Sequence, residues 1–65
     1  MVNYWCNYVD KDYKIDTVGY RTLEGLMTDI MSEMRKEESD IVRFIIIDRY
    51  NGTEPFTIDN PKFNN

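Results

Sequence analysis

The chemical groups that this chain concentrates most are carboxylates. Asp29, Glu33 and Glu37 follow one another at intervals of four residues, and Glu38 and Asp40 come directly after them. On a helix, side chains at that spacing lie on one flank with Cβ atoms about 5–6 Å apart, and like charges there cost a few tenths of a kcal/mol per pair. Helix formation therefore does not explain the row, and two interpretations stay open: a solvated surface or a binding surface.

As a binding surface, such a row of carboxylates would imitate nucleic acid. Double-stranded DNA carries about one charge per 3.4 Å along each strand, so regularly spaced acids can replace phosphates in a basic cleft. Two rows, one from each subunit of a dimer, would fill such a cleft. The acids that we expect to bind a partner are Asp29, Glu33, Glu37, Glu38 and Asp40, with Asp10, Asp12 and Asp16 as a second patch.

Reaction chemistry has few residues to use in this sequence. Histidine is absent and Cys6 is the only cysteine, which leaves no near-neutral general base, no disulfide within the chain and no Cys/His zinc site. The three glycines are isolated, so no phosphate-binding loop is present. We therefore predict that the protein is not an enzyme and holds no cofactor or metal, and that Cys6 is a small buried hydrophobe.

The segment 10–16, DKDYKID, has the alternating aspartates of a calcium-binding loop. A lysine and an isoleucine stand where that loop needs a third ligand and a glycine. A solvated hairpin turn is the favoured interpretation.

The composition is that of one small acidic domain. Sixty-five residues carry twelve acids and eight bases, for a net charge of −4, and 42% of them are hydrophobic. A conventional nucleic-acid binder has a basic face, so direct DNA or RNA binding is disfavoured. The chain shows no apolar run long enough for a bilayer, no secretory signal and one unpaired cysteine, which together predict a cytoplasmic protein.

The apolar patterns predict strands on both sides of one helix. The elements are expected at 2–9 (strand), 13–20 (strand), 22–37 (helix), 41–50 (strand) and 55–59 (edge strand), followed by a frayed tail at 60–65. The segment 41–47, IVRFIII, is apolar on both alternating faces from Phe44 on, which is typical of an interior strand or an interface strand. Pro55 confines a fourth strand to the sheet edge, and Asn51-Gly52 predicts a type I′ hairpin turn.

The helix is the element with the clearest pattern. Thr22 is the expected N-cap. The apolar stripe covers an arc of roughly 140°, wide enough to pack on a sheet. Its members are Leu23, Leu26, Met27, Ile30, Met31 and Met34, of which Met31 lies at the margin.

These elements predict an α+β fold: a small antiparallel sheet of order β-β-α-β, with a short fourth strand and one helix on one face. The other face has no cover within the monomer. Trp5, Val9 and either Phe44 with Ile46 or Ile45 with Ile47 should then face water or a partner. A second copy is the simplest cover, so we expect a homodimer, with Trp5, Tyr8 and Met31 as apolar interface residues.

Two other functions compete with nucleic-acid mimicry. An adaptor or inhibitor would dock on a host enzyme through an apolar aromatic sheet face that includes Trp5 and Tyr8. A small nucleic-acid-binding module would stack bases on Tyr13 and Tyr20 beside Lys11 and Lys14. The aspartates among those residues oppose the second alternative.

The short length, the acidity, the many tyrosines and asparagines and the absence of histidine together resemble the small early host-takeover proteins of tailed bacteriophages. The β-β-α-β order is also similar to small phage inhibitors of uracil-DNA glycosylase. The resemblance implies an inhibitor of host machinery, and a subset of such proteins are DNA mimics aimed at nucleoid-associated proteins, RNA polymerase or repair enzymes. The favoured prediction is a non-enzymatic acidic inhibitor that blocks the nucleic-acid site of a basic host protein.

Overall fold

The computed structural model describes residues 1–63. Its elements are β1 (Tyr4–Asp10), β2 (Ile15–Tyr20), α1 (Leu23–Arg35), β3 (Ile41–Asp48), β4 (Phe56–Asp59) and a 3-10 turn (Pro61–Phe63). The strands form one antiparallel sheet in the order β2-β1-β3-β4, with the apolar β3 inside and β4 at an edge. The predicted α+β class is confirmed.

Local chemistry sets both ends of α1. Thr22 caps the first turn, where its Oγ1 accepts a hydrogen bond from the backbone N–H of Gly25 at 3.1 Å. The helix ends at Arg35, and Lys36 has extended backbone angles, φ −71° and ψ 127°. The predicted end at residue 37 is therefore wrong by two residues, and Glu37 lies in the turn that follows the helix.

The strand register decides which side chains the helix covers. Cys6 lies opposite Ile46 on one side and Val18 on the other, so these residues share a face. Five apolar side chains in this layer are at most 1% exposed and form the core: Cys6, Leu26, Ile30, Phe44 and Ile46. The helix thus covers the even-numbered residues of β1 and β3.

The opposite sheet face, which we call the open face, carries the odd-numbered residues of those strands. Trp5 and Val9 lie there, as predicted, and the register places Ile45 and Ile47 beside them. All four side chains are partly exposed. Tyr8 lies on the helix-covered face instead, edge-on to the Phe44 ring with centroids 5.6 Å apart, so its predicted place beside Trp5 is wrong.

The connection from β3 to β4 is a longer loop than the predicted two-residue hairpin turn. A type I′ turn needs positive φ at both central residues, but in this loop only Gly52, at φ 67°, has it. The Asp48 carboxylate instead accepts hydrogen bonds from the backbone N–H and the side-chain amide of Asn51, both at 2.9 Å. These bonds hold the loop at its start.

Residues 60–63 are fixed by Asn60, which is 1% exposed. Its side-chain amide donates to the Ile41 carbonyl at 2.8 Å, and its Oδ1 accepts from the backbone N–H of Lys62 at 3.1 Å. The predicted fraying does not extend over these residues, because a buried amide ties them to β3. The last two positions of that prediction lie outside the described residues.

Candidate functional site

Two adjoining grooves run between the C-terminal half of α1 and the β1–β2 hairpin. The first, which we call the hairpin groove, has a volume of about 530 Å³ and includes Asp16, Asp29 and Glu33 in its lining. The second, which we call the loop groove, has a volume of about 650 Å³. Its acids are Asp10, Glu33, Glu37, Glu38 and Asp40. Glu33, Lys36 and Ile41 line both grooves and connect them.

Charge is strongly segregated into these grooves. Seven of the twelve acids of the chain line them, but only one of its eight bases, Lys36. The rest of the protein therefore carries five acids and seven bases. A chain with a modest net charge of −4 thus has one strongly acidic side.

Glu33 is the most constrained of these acids. One carboxylate oxygen accepts from the Ser39 hydroxyl at 2.7 Å, and the other accepts from Lys36 Nζ at 3.1 Å. The Ser39 Oγ in turn accepts from the backbone N–H of Ile41 at 3.1 Å. The Ser39 hydroxyl, followed by Lys36, lowers the pKa of Glu33 below its ordinary value of 4.5. Glu33 therefore joins the end of α1 to the start of β3.

Asp29 ends a chain of hydroxyl groups in the hairpin groove. The Tyr20 hydroxyl donates to Asp29 Oδ2 at 2.9 Å, and it is also hydrogen-bonded to the Tyr8 hydroxyl. Because Tyr20 has a single hydroxyl proton, Tyr8 must be the donor to Tyr20. Burial raises the pKa of both phenols, and for Tyr20 the two hydrogen-bond partners raise it further.

Asp10 and Asp40 hold the β1–β2 turn in place beside the loop groove. One oxygen of Asp10 accepts from the backbone N–H groups of Asp12 and Lys14 at 2.8 and 2.9 Å. Lys11 reaches Asp40 through its backbone N–H, at 2.9 Å from the Asp40 carbonyl, and through an exposed ion pair at 3.5 Å. The two predicted acidic patches therefore meet along one side of the molecule.

The eight predicted acids differ in whether they line a groove. Asp12 lies at the hairpin tip and lines neither groove, whereas the other seven line at least one. The straight helical row ending at Glu37 is wrong, because α1 stops at Arg35. The sequence did not predict the roles of Ser39 and of the Tyr8–Tyr20 pair. An acid six residues before a serine is no recognisable motif, and only the strand register brings the tyrosines near Asp29.

Trp5 and Met31 remain available for apolar contacts, but on different sides of the protein. Trp5 is partly exposed on the open face, and Met31 is 44% exposed on α1. Leu23, which the apolar stripe placed toward the sheet, is 47% exposed. The stripe that packs on the sheet is therefore narrower than the predicted one, because Leu23 and Met31 at its margins stay exposed while Leu26 and Ile30 are buried.

Cys6 has no features of a reactive thiol. It is fully buried, and burial raises its pKa from 9.0 to about 11. The thiolate is the nucleophilic form, so a thiol with this pKa is inert at neutral pH. Within residues 1–63, no three acids or cysteines come together as metal ligands would.

Comparisons with protein-family models, with curated proteins and with solved structures found no match to this chain. Across residues 1–63, no helix has the length and apolar character needed to cross a membrane.

Proposed function

We propose that this protein is a non-enzymatic inhibitor that binds the nucleic-acid site of a basic protein by imitating DNA. The observation that supports this proposal is the segregation of charge: seven carboxylates and one lysine line two connected grooves. These carboxylates come from β1, β2, α1 and the turn after the helix. A partner with clustered lysines and arginines would meet one extended negative surface.

The chemistry of the same surface opposes direct nucleic-acid binding. Lys11 pairs with Asp40, and Lys14 follows a turn built on the Asp10 carboxylate. The Tyr20 hydroxyl donates a hydrogen bond to Asp29. Three of the four residues that would bind a nucleic acid therefore lie beside carboxylates, which repel phosphates.

The acids divide into a structural and a binding group. Glu33 and Asp29 accept hydrogen bonds from neighbouring side chains, so part of their charge stabilises the fold. Glu37 and Glu38 are exposed in the turn after α1. We assign the main partner contacts to these two residues, which can reorient toward lysine or arginine with little effect on folding.

The partner class follows from this charge. A basic DNA-binding protein of a host bacterium, such as a nucleoid-associated protein, RNA polymerase or a repair enzyme, has the required positive cleft. Association should be fast and strongly dependent on salt, because electrostatic steering acts over a screening length of about 10 Å at 0.1 M salt and about 3 Å at 1 M.

A capture experiment tests the proposal. The protein is immobilised, exposed to bacterial lysate and washed at about 0.1 M and about 1 M salt, which changes the screening length more than threefold. We expect the retained proteins to bind DNA, to be lost in the high-salt wash and to be displaced by double-stranded DNA. The affinity of the purified partner should fall at least roughly tenfold on combining Glu37→Lys with Glu38→Lys.

The matched control is a second double reversal with the same change in net charge. Asp12→Lys with Glu54→Lys alters two exposed acids that line neither groove. This control should keep most of the affinity. Retention that survives both the high-salt wash and the Glu37/Glu38 reversal would contradict mimicry, and an equal loss in both variants would assign binding to net charge alone.

A further inference from the structure

Within residues 1–63, the only helix packs on the other side of the sheet and leaves the open face uncovered. The face carries two apolar groups, one at each end, and a row between them in which Ile45 lies beside three polar residues: Asn7, Thr17 and Thr57. Trp5 lies directly opposite Ile47 in the register, and Ile45 is two residues away on the same strand. Val9 and Ile15 face each other at the hairpin end, and Ile15 is 57% exposed. Exposed apolar patches that are bordered by polar residues mark interaction sites.

Gly19 shapes one end of this face. A Cβ atom there would lie 2.9 Å from the Trp5 ring and 2.9 Å from the Val2 side chain. The indole therefore lies across strand β2 in the space that a side chain would occupy. The result is a flat aromatic surface, suited to contact with another flat surface.

The charge of the open face differs from that of the whole chain. Its charged residues are Arg43 and Asp59, which face each other in the register. They form an ion pair, with Arg43 Nε 2.8 Å from Asp59 Oδ1. The face therefore has no net charge, whereas the chain has −4. Two copies can bring these faces together while the seven acids of the grooves stay apart.

We propose that the open face packs against the same face of a second copy. The core of one copy is five buried apolar residues, and a domain of this size buries only about 60% of its unfolded surface. Covering Trp5, Ile45 and Ile47 would turn two half-covered sheets into one sandwich, with the sheets about 10 Å apart. The interface is isologous, so each copy contributes the same residues.

Charge also decides against a dimer in which two β2 edges pair. The β2 edge borders the hairpin groove, whose lining includes Asp16, Asp29 and Glu33. Edge pairing would place two such acidic sets side by side on one surface, and like charges in close contact are destabilising. It would also leave Trp5 and Ile45 uncovered. Face-to-face packing avoids both costs.

The size of the face sets the expected strength. Four strands about 4.8 Å apart and about six residues long, at about 3.3 Å per residue, give a footprint of about 400 Å² per copy. Two footprints, increased by the relief of the side chains, reach the lower limit of specific interfaces, about 1,000–1,200 Å² in total. The dimer should therefore dissociate on dilution.

Face-to-face packing places the two acidic sides on opposite outer surfaces of the dimer. The dimer would then offer two separate negative surfaces and could bridge two basic partners. This arrangement differs from the expectation that two acidic rows fill a single cleft. Dimerisation does not require the grooves, so the proposed function and this proposal can fail separately.

Sedimentation equilibrium from about 1 μM to about 1 mM protein tests the proposal over the range of weak to moderate affinities. We expect a monomer at the low end and a dimer at the high end, with Trp5 fluorescence shifting to the blue as the dimer forms. Ile45→Lys places a charge at the centre of the face and should weaken the dimer at least roughly tenfold. Ile15→Lys should weaken it less, and because Ile15 is already exposed, that variant should fold.

The matched control is Val18→Lys on the same edge strand. Val18 is 40% exposed but points to the helix-covered face, so the dimer should persist. Glu37→Lys combined with Glu38→Lys should also leave it intact. A chain that stays monomeric up to 1 mM would overturn the proposal and leave the open face for a different partner. A dimer that Val18→Lys breaks and Ile15→Lys spares would assign association to the β2 edge.

Discussion

The two faces of the sheet come from the same strands, yet they differ in cover and in charge. One face is covered by α1 and is bordered by the acidic grooves. The other carries the apolar residues Trp5, Ile45 and Ile47 among polar ones, has no cover within residues 1–63 and is electrically neutral through the Arg43–Asp59 pair. Alternation along each strand separates them, since successive side chains point to opposite faces. One small sheet can therefore offer two surfaces suited to different partners.

The run Ile45-Ile46-Ile47 shows the difference most directly. Ile46 is 1% exposed beneath the helix, whereas both neighbours are partly exposed on the open face. The same substitution at Ile45 and at Ile46 therefore compares the contributions of the two faces to stability, because the side chain removed is identical.

The largest expected effect is the loss of stability in Ile46→Ala. Removing a buried isoleucine leaves a cavity in a five-residue core and should cost about 3–4 kcal/mol of unfolding free energy. Ile45→Ala should cost about 1 kcal/mol at low protein concentration, because its side chain is only partly buried. Urea unfolding at micromolar concentration measures both values. Equal losses would mean that the open face is covered within the monomer.

The sequence alone was sufficient for the fold class, the Thr22 cap, the edge position after Pro55 and the uncovered face with Trp5. All of these depend on local patterns: periodicity, a capping residue and a residue without an N–H donor. It was not sufficient for the side on which Tyr8 lies. The predicted aromatic face combined Trp5 with Tyr8, but one is at an odd and the other at an even position of β1, so they point to opposite faces. The Glu33–Ser39 and Asn60–Ile41 hydrogen bonds depend on tertiary placement, which a single sequence does not show.

Structural and binding carboxylates should differ in their effect on stability. Glu33→Ala removes a partly buried acceptor of two hydrogen bonds and should cost about 2 kcal/mol at pH 7. Glu37→Ala, in the exposed turn, should change stability by less than about 0.5 kcal/mol. Urea unfolding provides the comparison, and equal effects would remove the structural role of Glu33.

The pH dependence of stability should follow Glu33 as well. Because its pKa is lowered on folding, its contribution is fully present above the ordinary value of 4.5 and is lost as the pH falls through the lowered pKa. Wild type should therefore lose stability below about pH 4.5 more steeply than Glu33→Ala. Parallel acid unfolding curves for the two proteins would contradict this assignment.

The hydroxyl groups of Tyr8 and Tyr20 lie between the acidic side and the core, and they should make a smaller contribution to stability. Tyr20→Phe removes hydrogen bonds to both Tyr8 and Asp29 and should cost about 1 kcal/mol. Tyr13→Phe is the control, because Tyr13 is 85% exposed. Since folding raises the pKa of Tyr20, its contribution is complete below the ordinary value of 10 and is lost at higher pH. Alkaline unfolding of wild type and Tyr20→Phe should therefore converge.

The smallest expected effect lies at the hairpin tip, where the two faces meet at one end of β1. Tyr13 has φ 65° in a turn closed by its backbone N–H and the Asp10 carbonyl at 3.0 Å. A left-handed conformation costs a non-glycine residue about 1–2 kcal/mol, whereas glycine adopts it freely but loses about 0.5–1 kcal/mol through its flexible unfolded chain. Tyr13→Gly should therefore raise the unfolding free energy by a few tenths of a kcal/mol.

Because the tip lies outside both the open face and the grooves, dimerisation and partner binding should be unchanged. A loss of partner affinity in this more stable variant would mean that the exposed Tyr13 ring also contacts the partner.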